Sequence, residues 1–430
     1  MIISENPVQH LTYCLNVHPG EDWDSNFASI KKYALEIRRR VALGQPFGLG
    51  MRLSRIAADE LIKSNRLAEF RSFLKKHNLY VFTINGFPYG QFHGTAVKES
   101  VYQPDWATEE RVVYTNLLAD ILAQLLPDGV MGSISTVPGG YGEKLKAEKL
   151  KTEMGMGERS EVGDQRSEVR GQRAEVRGQR AGGCGQWDVE MLGVVADNIA
   201  RCAEYFAGLE MATGKHIVLA MEPEPDCLFD TTESTVTFFN EVLAGSDAVQ
   251  RMTFDWRRYI GVCFDTCHMS VVFEDPAEGF QRLLDNGITI AKVQISAALR
   301  AETGKKTAEH LAEFSEHVYL HQTRLRGGGG EIRCYPDLTD EALGSVTQEG
   351  GEVRVHMHVP LYFVESGSLR STANDLTEQF FEKVADAGIP HLEIETYTFD
   401  VLPDELSDIP IEDSIEREFQ VVKSLFSVSS

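Results

Sequence analysis

At 430 residues, with 42% hydrophobic and 25% charged side chains, the chain has a globular composition and enough length for one large domain or two to three ordinary ones. Sixty-five acidic against 42 basic residues leave a net charge of −23, which argues against nucleic acid and anionic lipid as partners, since both need clustered Lys and Arg. The seven cysteines (Cys14, Cys184, Cys202, Cys227, Cys263, Cys267, Cys334) include no C-x-x-C pair, and no run approaches the ~18 apolar residues of a membrane span, so a cytoplasmic protein with reduced thiols and no direct membrane insertion is expected.

In chain order, short apolar runs alternate with longer amphipathic ones. The sequence predicts strands over 11–16 (LTYCLN), 47–54 (FGLGMRLS), 79–86 (LYVFTING), 129–136 (GVMGSIST), 216–223 (HIVLAMEP), 260–268 (IGVCFDTCH), 290–296 (IAKVQIS) and 391–399 (HLEIETYTF). Helical periodicity lies between them, over 25–43, 66–78, 187–214 and 372–389, each stretch ending near Gly, Asn or Pro. Eight strand–helix alternations with nearly continuous apolar strands predict an α/β fold, a single (β/α)8 TIM barrel spanning 1–430. No G-x-G-x-x-G follows the first strand, which disfavours an open dinucleotide-binding sheet. Two segments stand outside the pattern. Residues 151–186 form a low-complexity Arg/Glu/Gly insertion whose heptads (RSEVGDQ, RSEVRGQ, RAEVRGQ) carry too few apolar residues for a coiled-coil seam, so it is expected to be disordered. A further run, GEVRVHMHVPLYF (351–363), predicts an extended excursion between strands 7 and 8 that returns to the barrel mouth.

Catalytic groups of such barrels sit at the C-terminal ends of the strands. There the sequence places Glu222 and Glu224 (LAMEPEP), Asp265 and His268 (CFDTCH), Gln294 (KVQIS), and Glu393 and Glu395 (HLEIETY), while HMH adds His356 and His358. A carboxylate at one such end can merely cap the next helix. Several of them projecting from apolar strands are costly unless paired or metal-bound, and converging carboxylates raise one another's pKa unless a cation sits between them. The turn TINGFPYGQFHG (83–94) offers Phe87, Tyr89, Phe92 and His93 as an aromatic wall and polar contact, and His18 follows the first strand at the same end of the barrel.

These strand-end residues together resemble the xylose isomerase-like TIM barrel superfamily, which includes sugar isomerases, epimerases and endonuclease IV. The motifs LTYCLNVHPGEDW, NGFPYGQFHG, LAMEPEP, CFDTCHMSVVFEDP, RVHMHVPLY and HLEIETYTF are more closely similar to the EboE family, the metabolite traffic proteins of the ebo gene cluster. The isomerase and epimerase branch implies Glu222, Asp265, Gln294 and Glu395 as ligands of a divalent metal (Mn2+, Mg2+ or Zn2+), with Glu222 and Glu395 also catalytic. It implies a substrate-binding or supporting role for His268, and by their place at the barrel mouth His356, His358, His93, His18, Glu224 and Glu393 are further candidates for substrate binding or support. Where endonuclease IV has Asp-x-His, this chain has His356-x-His358. The family resemblance implies handling or export of secondary-metabolite precursors, a small-molecule metabolite as partner, and other ebo-cluster proteins as further partners. Two functions fit: a metal-dependent isomerase or epimerase of a small hydroxylated carbonyl compound, or a non-catalytic carrier using the same barrel mouth.

Overall fold

The computed structural model describes residues 1–63, 65–92, 97–142, 189–399, 402 and 408–428. The 151–186 insertion and His93 lie outside the described residues.

The chain folds as an α/β barrel. The parallel strands are β2 (Val8–Tyr13), β3 (Phe47–Arg52), β4 (Leu79–Asn85), β5 (Gly132–Thr136), β6 (Ile217–Met221), β7 (Ile260–Asp265), β8 (Ile290–Ile295) and β15 (His391–Ile394). They pair in the order β2-β15-β8-β7-β6-β5-β4-β3, and a parallel bridge from Cys14 to Gly50 joins the two ends of the sheet. A short strand, β1 (Ile2–Glu5), adds antiparallel to β2. Each of the eight expected strands is present. Their uninterrupted burial follows from their position between the barrel lumen and the outer helices. The helices over Arg66–Lys76 and Val189–Thr213 lie where the 3.6-residue period puts them. The first helical run, Trp23–Val41, contains a π turn at Ile30–Ala34.

The lumen is unusually polar. Lys292 of β8 and Glu393 of β15 form an ion pair with both side chains fully buried, and Ser135 Oγ lies 3.4 Å from Lys292 Nζ. Below them His391 is hydrogen-bonded to Ser133 Oγ (2.8 Å) and Met131 O (3.0 Å). Gly50 makes room for the pair: a Cβ there would lie 1.7 Å from Glu393 Oε1 and 3.0 Å from the Tyr13 carbonyl. Gly50→Ala is therefore expected to cost about 1–3 kcal/mol, the scale of overpacking in a closed core. Urea unfolding checks this, and an unchanged midpoint would show that Glu393 can turn aside.

Between β8 and β15 the chain builds a second layer. Residues 299–371 form a six-stranded antiparallel sheet ordered β11-β10-β12-β9-β14-β13, comprising β9 (Leu299–Glu302), β10 (Thr323–Arg326), β11 (Ile332–Tyr335), β12 (Glu352–Val355), β13 (Glu365–Ser366) and β14 (Leu369–Ser371). Sequence periodicity gave one extended run here, 351–363, of which only Glu352–Val355 is strand. Strands of two to four residues are too short to show a period of two above the turns that separate them. Beyond β12 the chain leaves the sheet and carries His356 and His358 to the barrel mouth.

Candidate metal centre

The mouth is assembled from strand ends. Asp265 is both the last residue of β7 and the N-cap of the helix Thr266–Val271: its Oδ1 accepts from His268 N (2.9 Å) and Ser296 Oγ (2.8 Å). The Asp-x-x-His spacing follows from that cap, because N-cap and N3 are three residues apart and N3 is where the imidazole leaves the helix. Asp265 Oδ2 is buried with no hydrogen-bond partner. Glu222 follows β6, Glu395 follows β15, and a carboxylate oxygen from each lies with one of Asp265 inside a 4.8 Å sphere of mutual distances. Glu395 Oε1 accepts from Asn16 Nδ2 (2.8 Å) and Asn85 Nδ2 (3.3 Å). Burial first, then the neighbouring carboxylates, push Glu222 and Glu395 well above the ordinary carboxylate range. Burial acts the same way on Asp265, but His268, His358 and its two hydrogen bonds hold it low.

Three imidazoles stand beside this trio. His268 Nε2 is 3.0 Å from His356 Nε2, which is 3.2 Å from His358 Nε2. Each ring has its other nitrogen on an oxygen: His268 Nδ1 on Pro223 O (2.9 Å), His356 Nδ1 on Gln322 Oε1 (2.7 Å) and His358 Nδ1 on Glu395 O (3.0 Å). Gln322 Nε2 donates to Tyr102 Oη (2.9 Å) and Pro225 O (3.3 Å), which fixes the amide so that its oxygen faces His356. A carbonyl can only accept, so each Nδ1 carries a hydrogen, and on a neutral ring Nε2 then presents a lone pair. Burial, then His268 and His358, hold His356 well below the ordinary imidazole range, and burial holds His358 at about 4, so both rings are neutral at pH 7. The Nε2 lone pairs of the neutral His356 and His358 rings, aimed at one another at 3.2 Å, repel unless a cation lies beside them, and the 3.0 and 3.2 Å separations across the three rings are close to the roughly 3.3 Å between nitrogens of one tetrahedral zinc at Zn–N ≈ 2.0–2.1 Å. Supporting acceptors that set the tautomer are the usual companions of metal-bound histidine. The residues present thus fit divalent metal in two adjoining donor sets, an all-oxygen one and a mainly imidazole one that Asp265 also reaches with His268 and His358.

No family model matches the chain, and no curated protein matches it. Among solved structures it is similar to the zinc-bound IOLI protein (12% identity, 98% of this chain and 99% of that one, TM-score 0.48). It is also similar to a D-tagatose 3-epimerase-like protein (11%, 98% of each chain, TM-score 0.47). A third is the probable 3-DHS dehydratase AsbF, involved in petrobactin synthesis, from Bacillus anthracis (12%, 96% and 98%, TM-score 0.46).

The remaining sequence-predicted residues are distributed as follows. Glu224 accepts from the Tyr102 hydroxyl at 2.6 Å and lies with His268 and His356 in a further donor group. Gln294 sits in register with Asp265 and Glu393, and its Oε1 already accepts from the Cys263 thiol at 2.6 Å. Glu393 lies one layer deeper, against Lys292, and is not among the residues lining the cavity at the mouth. His18 is stacked on Tyr33 (3.9 Å between ring centroids) and bonded to Tyr13 Oη (3.1 Å), also away from that cavity. Phe87 and Phe92 do line it, whereas Tyr89 packs edge-on against Tyr114.

Several contributors escaped the sequence reading. Asn16 and Asn85 stand at ends of predicted strands, so the criterion that found Glu222 could have found them. Tyr102 and Gln322 lie in segments without periodicity, and nothing in the sequence announces them. Glu418, buried in the C-terminal helix Ile411–Val428, accepts from Thr396 Oγ1 (2.6 Å) and Leu361 N (3.1 Å), tying together the segments that carry Glu395 and His358. Burial raises its carboxyl to about 7. A raised acid binds more protons folded than unfolded, so its contribution is complete below about pH 4.5 and is lost as pH rises through 7, amounting to about 3 kcal/mol in all. Glu418→Gln is expected to flatten that slope and to be the more stable protein above pH 7. Urea midpoints at pH 5.5 and 8 check it, and parallel losses in both proteins would refute it.

Proposed function

We propose that this chain is a divalent-metal-dependent isomerase or epimerase of a small hydroxylated carbonyl compound. The observation that carries the reading is the convergence of Glu222, Asp265 and Glu395 oxygens beside three imidazole Nε2 atoms, with Asp265 Oδ2 left without a partner. Metal bound there supplies Lewis acidity, polarising a carbonyl and making the adjacent C–H more acidic. Glu222, whose carboxylate accepts no hydrogen bond from the described residues, is the group that removes that proton. Glu395, just past β15 and three strands away around the sheet, returns it. Asn16 and Asn85 orient Glu395, while Pro223, Gln322 and the Glu395 carbonyl keep the imidazoles in the Nδ1–H tautomer. The motif resemblance to EboE supports a substrate drawn from secondary-metabolite precursors and partners encoded beside it.

Elemental analysis of the purified protein, followed by deuterium exchange from D2O into a panel of sugars and keto compounds, tests the reading. Stoichiometric metal and exchange that is lost in Glu222→Gln are expected. If no divalent metal is present, and Glu222→Ala with Asp265→Ala alters neither metal uptake nor melting, the reading fails. Bound metal and a ligand-induced melting shift with no exchange would make the protein a carrier instead.

A further inference from the structure

The cavity above these donors has two chemically distinct halves. Asn16, Asn85, Glu222, Glu395, His268 and His356 lie on its floor. Its walls are aromatic. In one group Phe87 lies against Tyr102 (ring centroids 5.5 Å apart), and Tyr102 is stacked on Tyr141 (4.9 Å). In a second, Phe92, Tyr319 and Tyr397 form a mutual cluster at 5.0–5.5 Å, with Tyr397 also 4.7 Å from the His358 ring. The Tyr397 hydroxyl has no hydrogen-bond partner among the described residues, so it is a polar handle at the edge of the metal site.

The charge of the cavity is equally directional. Among the described lining residues the one ammonium or guanidinium is Lys98. Its Nζ gives its hydrogens to the carbonyls of Glu316 (3.2 Å) and Tyr319 (2.6 Å) and to the Asp337 carboxylate (2.7 Å). A fully engaged, carboxylate-neutralised ammonium is a poor anchor for a phosphate dianion, which would also approach Glu222, Glu224 and Glu395. Aromatic faces, by contrast, stack on a ring whatever its substituents, and adjacent oxygen atoms on that ring match a floor built to hold cations.

Resting on the metal-centre reading above, we propose that the substrate is an uncharged ring compound bearing two adjacent oxygen atoms, a vicinal diol or α-hydroxyketone. It enters with its apolar face against the aromatic walls and its oxygens down. The site is thereby selective against phosphorylated open-chain sugars.

The test uses the full-length protein dialysed after zinc loading, its metal content measured first, and titrated calorimetrically with catechol, cis-cyclohexane-1,2-diol, fructose 6-phosphate and inorganic phosphate. The two ring diols are expected to bind at least tenfold more tightly than either phosphate compound, and Tyr397→Ala to weaken them about tenfold with the metal content unchanged. Tighter binding of fructose 6-phosphate, or ring-diol affinity indifferent to Tyr397→Ala, overturns the proposal. Failure of the metal-centre reading shows separately, as absence of stoichiometric zinc. In that event ring binding that still depends on Tyr397 upholds the aromatic slot, and no ring binding overturns both. Tyr397→Phe, which keeps the ring and removes the hydroxyl, should retain most of the affinity.

Discussion

Asp265→Asn should strip the protein of stoichiometric divalent metal and at the same time make the metal-free protein more stable. The two effects have one cause. Asp265 belongs to the oxygen trio with Glu222 and Glu395 and to the group with His268 and His358, so losing its charge weakens both donor sets. Loss of supporting residues alone typically costs 10–100-fold in metal affinity, so removal of a shared ligand should cost more than about 100-fold. The local fold survives, because Asn caps a helix as well as Asp does and its amide oxygen can keep the bonds from His268 N and Ser296 Oγ. Without metal, burial and the neighbouring carboxylates, Asp265 among them, raise Glu222 and Glu395 well above the ordinary range, so removing the Asp265 charge relieves that repulsion and stabilises the metal-free protein. Elemental analysis with isothermal titration measures the first effect, and urea unfolding in chelator the second. Wild-type metal content in the variant, or a variant less stable than wild type in chelator, would show that Asp265 serves only as a helix cap.

How much of this could be read from the chain depends on whether a residue's role is local. The barrel strands announce themselves because a strand buried on both faces must be apolar throughout, and Asp265-x-x-His268 is legible because a cap and its N3 partner lie within one turn. Gln294 shows the limit: its strand and register follow from the sequence, but the direction of its amide is decided by Cys263, a neighbour across the sheet. Glu393 and Glu395 are two residues apart on the same inward face, so alternation alone puts both in the lumen. Only the position of Lys292 shows that the deeper carboxylate is a structural ion pair. The imidazole cluster depends on a six-stranded sheet made from strands too short to predict, so the HMH motif was visible while the surface that delivers it was not.

Lys292 is also a place where a single change should be costly, because its ion pair with Glu393 is fully buried. Five carboxylates, Glu222, Glu224, Asp265, Glu393 and Glu395, are buried in or above the lumen, and Lys292 is the ammonium set among them. Glu393 keeps that ammonium charged despite complete burial. Lys292→Met is expected to cost about 3–5 kcal/mol, the penalty for leaving one member of a buried pair uncompensated. The double change Lys292→Met with Glu393→Met should recover most of it, because a matched apolar replacement abolishes the desolvation cost as well as the attraction. The single variant's deficit should be larger in chelator than in saturating metal: removing an ammonium leaves the neighbourhood more negative, and a bound cation then offsets more of the loss. Urea unfolding of the three proteins under both conditions measures each of these differences. A single variant within about 1 kcal/mol of wild type would mean that Glu393 simply takes up a proton, and equal deficits with and without metal would mean that the ion pair and the carboxylate trio do not feel each other.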